Sequence, residues 1–114
     1  MPILSLKSEA HYDETVASEL PAIVFKHSPS CGVSHLALRV IRNFVGAHPE
    51  VPVLVVDVID QRELSETIAE RLGIRHESPQ SIVVRAGHAM SSASHSRITM
   101  ESVADGVAAA AAEL

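Results

Sequence analysis

Two kinds of apolar pattern alternate along this chain. Continuous runs occur in AIVFKH (residues 22–27), VPVLVVDVI (51–59) and the first half of SIVVRAGHAMSSA (81–93). Such runs, bounded by turn residues, read as strands, and the run with apolar residues on both faces suits the middle of a parallel sheet. PILSL, residues 2–6, reads as a short edge strand, and Ala86-Gly87 marks a hairpin between the last two strands. Between the runs, apolar residues recur at three- and four-residue spacing, which places them on one helical face. The first such stretch is Glu9 to Leu20, with Tyr12, Val16 and Leu20 inward and Ser8 as its cap. The second follows Cys31, with Val33, Leu36, Ala37, Val40, Ile41, Phe44 and Val45, and ends near Gly46. Asp60 with Glu63 has the form of a capping box, opening a helix with Leu64, Ile68 and Leu72 on one face and Gly73 as its stop. Thr99 starts the last helix, with Met100, Val103, Val107 and Ala111 inward. The order β-α-β-α-β-α-β-β-α predicts one α/β domain over residues 1–114. Its mixed sheet carries helices on both faces, the central strands parallel and the last pair antiparallel.

Composition narrows the function. At 114 residues the chain can bury a core without disulfides or metals, and a 46% hydrophobic fraction with mixed charge is that of a globular protein. A formal net charge of −5 and few aromatics argue against nucleic acid and anionic membrane as partners. The longest apolar run is far too short for a membrane span, and the first residues lack the basic and apolar regions of a signal peptide. With a single cysteine, an internal disulfide is excluded. The expectation is a cytoplasmic protein whose thiol stays reduced.

That cysteine, Cys31, lies in FKHSPSCGVS, just after a strand and a Ser-Pro turn, at the start of a helix. A thiol there faces unpaired backbone N–H groups and the positive end of the helix dipole, both of which favour the thiolate. Lys26 and His27 lie close enough in sequence to add positive potential. A cysteine simply packed in the core is the competing account, but the flanking Ser28, Pro29, Ser30 and Gly32 are turn residues. Three positions on, where a C-x-x-C pair has its resolving thiol, stands Ser34. A hydroxyl cannot resolve a mixed disulfide; it can donate a hydrogen bond to the thiolate or serve as an ordinary first-turn polar residue. HESPQ (76–80) places Pro79 just before a strand, where a cis peptide bond would pin the chain near the thiol and let Ser78 offer backbone polar groups to a substrate.

Taken together, Lys26-His27-Ser28, Cys31 with Ser34, Asp57-Val58-Ile59, His76-Glu77-Ser78-Pro79-Gln80 and Ser94-His95 resemble a YtxJ-type monothiol bacilliredoxin, over about residues 20 to 100. The βαβαββα order is likewise that of the thioredoxin fold. The resemblance implies an enzyme that removes bacillithiol from S-bacillithiolated client proteins. Cys31 would be its nucleophile and Ser34 the position without a resolving thiol. A groove would be lined by Ser78, cis Pro79, Gly32, His27 and His76. It further implies no bound cofactor and no metal, with bacillithiol as the low-molecular-weight thiol co-substrate that regenerates Cys31. One departure stands out: the family commonly has proline directly after the cysteine, and this chain has Gly32.

Rival readings use the same residues. Cys31 with His27, His35 or His76 is a conceivable zinc donor set, but no C-x-x-C or H-x-x-x-H spacing supports it. A peroxide sensor would take Cys31 to a sulfenic acid before capping by a thiol. A thioredoxin-like binding or adaptor module would keep the fold and the groove and leave Cys31 without redox turnover. His76 and His95 read as structural or groove-lining residues; His11, His48 and His88 read as solvated.

Overall fold

The computed structural model describes residues 3–112. Its elements are β1 (Ile3–Ser5), α1 (Glu9–Val16), β2 (Ala22–His27), α2 (Gly32–Ala47), β3 (Val53–Asp57), α3 (Arg62–Leu72), β4 (Gln80–Arg85), β5 (His88–Ser94) and α4 (Met100–Ala111), with a 3-10 turn at His95–Arg97. The sequence order of strands and helices is the expected one; Pro2 of the expected first strand lies outside the described residues. The strands form one sheet in the order β1-β3-β2-β4-β5. β1, β3 and β2 run parallel, whereas β4 and β5 are antiparallel to their neighbours. The hairpin turns at Ala86 and Gly87, both at positive φ, as a two-residue turn matched to strand twist requires.

Because side chains alternate across a strand, the sheet divides the core in two. Ile23, Phe25 and Val53 pack with Ala37, Ile41 and Phe44 of α2 and Val103 and Ala110 of α4. Val24, Leu54 and Val56 pack on the opposite face with Tyr12 and Val16 of α1 and Ile68 of α3. β2 is buried along nearly its whole length and paired on both sides, so its C-terminal end is the best-fixed point of the sheet edge.

The helix faces depart from expectation at four places. α1 stops at Val16 rather than Leu20, because the Ser18 hydroxyl accepts from the Leu20 N–H and turns the chain. Leu20 is therefore 64% exposed. In α2 the inward series is Ser34, Ala37, Ile41, Phe44 and Val45, leaving Val33 and Leu36 facing solvent. The Asp60–Glu63 capping box is not formed. Asp57 Oδ1 instead accepts from the N–H groups of Ile59 and Asp60, and Gln61 occupies the cap position. Gln61 uses its amide to bridge β3 to the end of β1, accepting from Asp57 N and donating to Leu6 O. In α4, Met100 and Ala111 face outward, while Val103 and Ala110 are buried. Other signals hold as read: Ser8 and Thr99 cap α1 and α4, and Gly73 ends α3 at φ 67°.

α4 approaches the sheet closely at Gly106, where an added Cβ would meet Ser91 Oγ at 2.5 Å and Val83 Cγ2 at 3.2 Å. Gly106→Val is expected to lower stability by ~1–3 kcal/mol through overpacking, read as a lower urea midpoint with an unchanged slope.

Candidate active site

The parallel strands β2 and β3 end together, and the turn that follows each lies at the same edge of the sheet. The register pairs His27 with Asp57, and Val58 N–H continues the ladder by donating to His27 O at 3.0 Å. Beyond β2, Cys31 N–H donates to Ser28 O, closing the Ser28–Cys31 turn. Cys31 then takes the N-cap position of the sixteen-residue α2, in extended conformation, with no side-chain hydrogen bond at the cap. Its thiol is free and partly exposed. Nothing in the sequence supplies a Ser, Thr, Asp or Asn cap here, so the sulfur itself is the side-chain group at the helix N-terminus.

Ser34 is fully buried beneath this turn. Its Oγ accepts from Ser28 N–H at 2.9 Å and pairs with His27 Nδ1 at 2.7 Å. The hydrogen bonds of Ser34 thus go to β2 and the turn, not to the Cys31 thiol. The expected positive potential from His27 is also corrected. Burial, then the neighbouring His35, depresses its pKa, which disfavours the charged ring. It packs between Phe25 and His35, with ring centroids at 5.9 and 4.9 Å. His35 Nε2 donates to Pro29 O at 2.6 Å, because a carbonyl can only accept; this ties the first turn of α2 to the Ser-Pro turn.

Lys26 points to the opposite face. Its side chain is fully buried, and Nζ donates to Ser65 O of α3 at 3.0 Å and to His76 Nδ1 at 2.9 Å. Burial pushes its pKa down to about 8, with Glu66 opposing that shift. His76 is depressed as well, by burial and then by Lys26. The expectation that Lys26 adds positive potential beside Cys31 is corrected: strand alternation turns it to the α3 side, where it is buried.

The segment from Arg75 to Gln80 enters the same edge. The Ser78–Pro79 peptide bond is cis. Gln80 braces the segment from within, its amide donating to Arg75 O and accepting from Glu77 N. On the β5 side, Ser94 Oγ donates to Glu77 Oε1 at 2.5 Å and His95 N–H donates to Pro79 O. The Ser94 hydrogen bond, helped by His95 and Arg75, keeps the Glu77 carboxyl below its ordinary range. Ser78 Oγ is buried without a hydrogen-bond partner. Gly32 opens α2 with free space around its Cβ position. Ser34 and His27 are therefore joined directly, while Pro79, Ser78 and His76 form a second cluster anchored through Lys26. Among the described residues no group of three or more His, Cys, Asp or Glu side chains is arranged to hold a metal ion. His48, expected in solvent, keeps 46% of its side chain exposed and also stacks on Phe44 at 4.6 Å.

A sheet of this order, with a cysteine at the N-terminus of α2 and a cis-proline just before β4, is the layout of a thioredoxin-fold thiol oxidoreductase. Solved structures agree on the fold. A protein assigned as an oxidoreductase with a thioredoxin fold aligns at a TM-score of 0.85 and 25% identity, covering 92% of this chain and 93% of that one. Thioredoxin from Trypanosoma brucei brucei aligns at 0.78 and 12% identity (94% and 88% covered), and thioredoxin O2 from Arabidopsis thaliana at 0.73 and 24% (91% and 92%). Residues 4–103 match the monothiol bacilliredoxin family BrxC, and the chain belongs to that family.

Two outcomes test this geometry. Gly32 is the first residue of α2, its N–H has no carbonyl within the helix to bond, and Cys31 before it is already extended. Gly32→Pro should therefore be accepted and raise stability by ~0.5–1 kcal/mol, measured by chemical denaturation. The second concerns Lys26. Its folded pKa of about 8 lies below the ordinary 10.5, so between these values the unfolded chain binds more protons and stability rises with pH. Relative to Lys26→Met, the wild type should gain up to ~3 kcal/mol from pH 8 to pH 10.5, and no difference in slope is expected below pH 7 from this group.

Proposed function

We propose that this protein removes bacillithiol from S-bacillithiolated client proteins, with Cys31 as the nucleophile. The observation that carries the proposal is the pairing of an open Cys31 sulfur at the α2 N-terminus with a Ser34 whose hydroxyl is locked into the interior. The unpaired N–H groups of the first helical turn stabilise negative charge on the sulfur. The Cys31 thiolate attacks the bacillithiol sulfur of the mixed disulfide; a Cys31–bacillithiol bond forms, the old bond breaks, and the client leaves as a thiolate that takes a proton from water. Ser34 offers no second thiol, so the adduct waits for one from outside. A bacillithiol thiolate then attacks the adduct, yielding the bacillithiol disulfide and restoring the Cys31 thiolate. Bacillithiol is thus a co-substrate, and no bound cofactor takes part. The cis Ser78–Pro79 segment, with Gly32, His27 and His76 around the same edge, forms the groove for the client segment. The single free thiol suits a reducing, cytoplasmic setting. No helix among the described residues is long and apolar enough to cross a membrane.

The test is intact mass spectrometry of this protein mixed with a bacillithiolated client. The adduct is expected to move onto the wild-type protein while the client emerges as a free thiol, and Cys31→Ala should abolish transfer. Ser34→Cys should discharge the adduct internally, as a disulfide between Cys31 and the introduced thiol, at some loss of stability from the broken Ser34 hydrogen bonds. Transfer of glutathione or mycothiol but not bacillithiol would keep the chemistry and change the co-substrate. Absence of any transfer would favour a thioredoxin-like adaptor.

A further inference from the structure

Lys26 is a charged side chain with no place in the thiol exchange just described, yet it is wholly buried, opposite Val56 in the strand register and against α3. Burying an ammonium is costly unless its protons find partners, and a methionine would fill the same volume at lower cost. The partners it finds are a backbone carbonyl of α3 and one edge of the His76 ring. An ammonium can only donate, so His76 Nδ1 is the acceptor and holds no proton. The neutral ring must then hold its proton on Nε2, on the edge turned away from the buried amine. His76 as a residue is exposed, whereas the amine it accepts from is fully buried. It lies two residues before the cis Ser78–Pro79 bond.

We propose that Lys26 is a positioning residue for the substrate groove: it fixes the orientation and tautomer of His76, so that His76 presents Nε2–H as a donor to an oxygen of the incoming mixed disulfide. The inference rests on the de-thiolation reading for its substrate but not for its geometry. The charged groups facing His76 are Lys26 from β2 and Glu66 and Arg62 from α3, with Arg75 and Glu77 on its own segment. Protonating His76 would set an N–H against the ammonium and break the link, so substrate binding weakens as the ring becomes charged. The acceptor oxygen belongs either to the low-molecular-weight thiol or to the client backbone, and the choice of substrate separates the two.

Imidazole nitrogen NMR of the wild type should show His76 in the Nε2–H form. Lys26→Met should give mixed tautomers and a higher His76 titration midpoint, since a neighbouring positive charge is gone. In steady-state de-thiolation, Lys26→Met and His76→Phe should each raise KM about fivefold with kcat little changed, the scale of one lost hydrogen bond. Lys26→Gln, which retains a donor, should recover part of the effect. If the KM effect persists on a client carrying only cysteamine, the acceptor lies on the client; if it disappears, the acceptor lies on bacillithiol. An unchanged His76 tautomer and midpoint in Lys26→Met would overturn the positioning role whatever the activity. Altered NMR with unchanged KM for both variants would overturn the substrate contact. A wild type inactive on every mixed disulfide would instead strike at the de-thiolation reading and leave the NMR result standing.

Discussion

The alternation of side chains along β2 governs the sheet edge that carries Cys31. β2 is paired on both sides, β3 parallel to it and β4 antiparallel, so its residues cannot slip by one without exchanging faces. That constraint sends His27 to the α2 side and Lys26 to the α3 side although they are adjacent in sequence. His27 can then meet Ser34 below the thiol, while Lys26 meets His76 below the cis-proline segment. One strand end therefore anchors both walls of the site, each by a nitrogen-centred hydrogen bond. The fixed register on both sides makes these anchors rigid relative to one another.

Local polar geometry finishes what the strand begins. The Ser28–Cys31 turn is held at both ends, by Cys31 N–H to Ser28 O and by His35 to Pro29 O. Ser34 receives the Ser28 N–H and takes up His27 as well, so the hydroxyl cements the turn, the strand and the first turn of α2. A single buried oxygen makes this junction, and removing it would strand the donors it satisfies. On the other wall, Gln80, Ser94 and His95 hold the cis-proline segment from one side and Lys26 from the other.

Most of the fold was legible because its signals are short-range. Apolar runs, Gly73 and the Ala86-Gly87 turn each act through neighbouring residues, and each stands where the pattern puts it. The helix faces were less legible. Leu20, Val33 and Leu36 continue an apolar rhythm, but Ser18 ends α1 early and Ser34 takes the inward position that the rhythm gives to its neighbours. A hydroxyl satisfied inside the fold is indistinguishable in sequence from a solvated one. The same limit applies to Asp60, where a plausible cap lost to Asp57 and Gln61. Of the site, the place of Cys31 was readable from the strand-turn-helix grammar. The pairing of Lys26 with His76, fifty residues apart, was not, because no local pattern encodes a hydrogen bond across that separation.

The sheet also separates the core into two clusters that share no residue, one on the α2–α4 side and the other on the α1–α3 side. Substitutions within one cluster reach the other only through the paired backbone of the strands, and distant sites without shared partners are close to additive. The two halves can therefore drift under separate selection. Changes packed around α2 need not be compensated by changes packed around α3, so within such a scaffold the surroundings of Cys31 and those of Lys26 are able to evolve as independent traits.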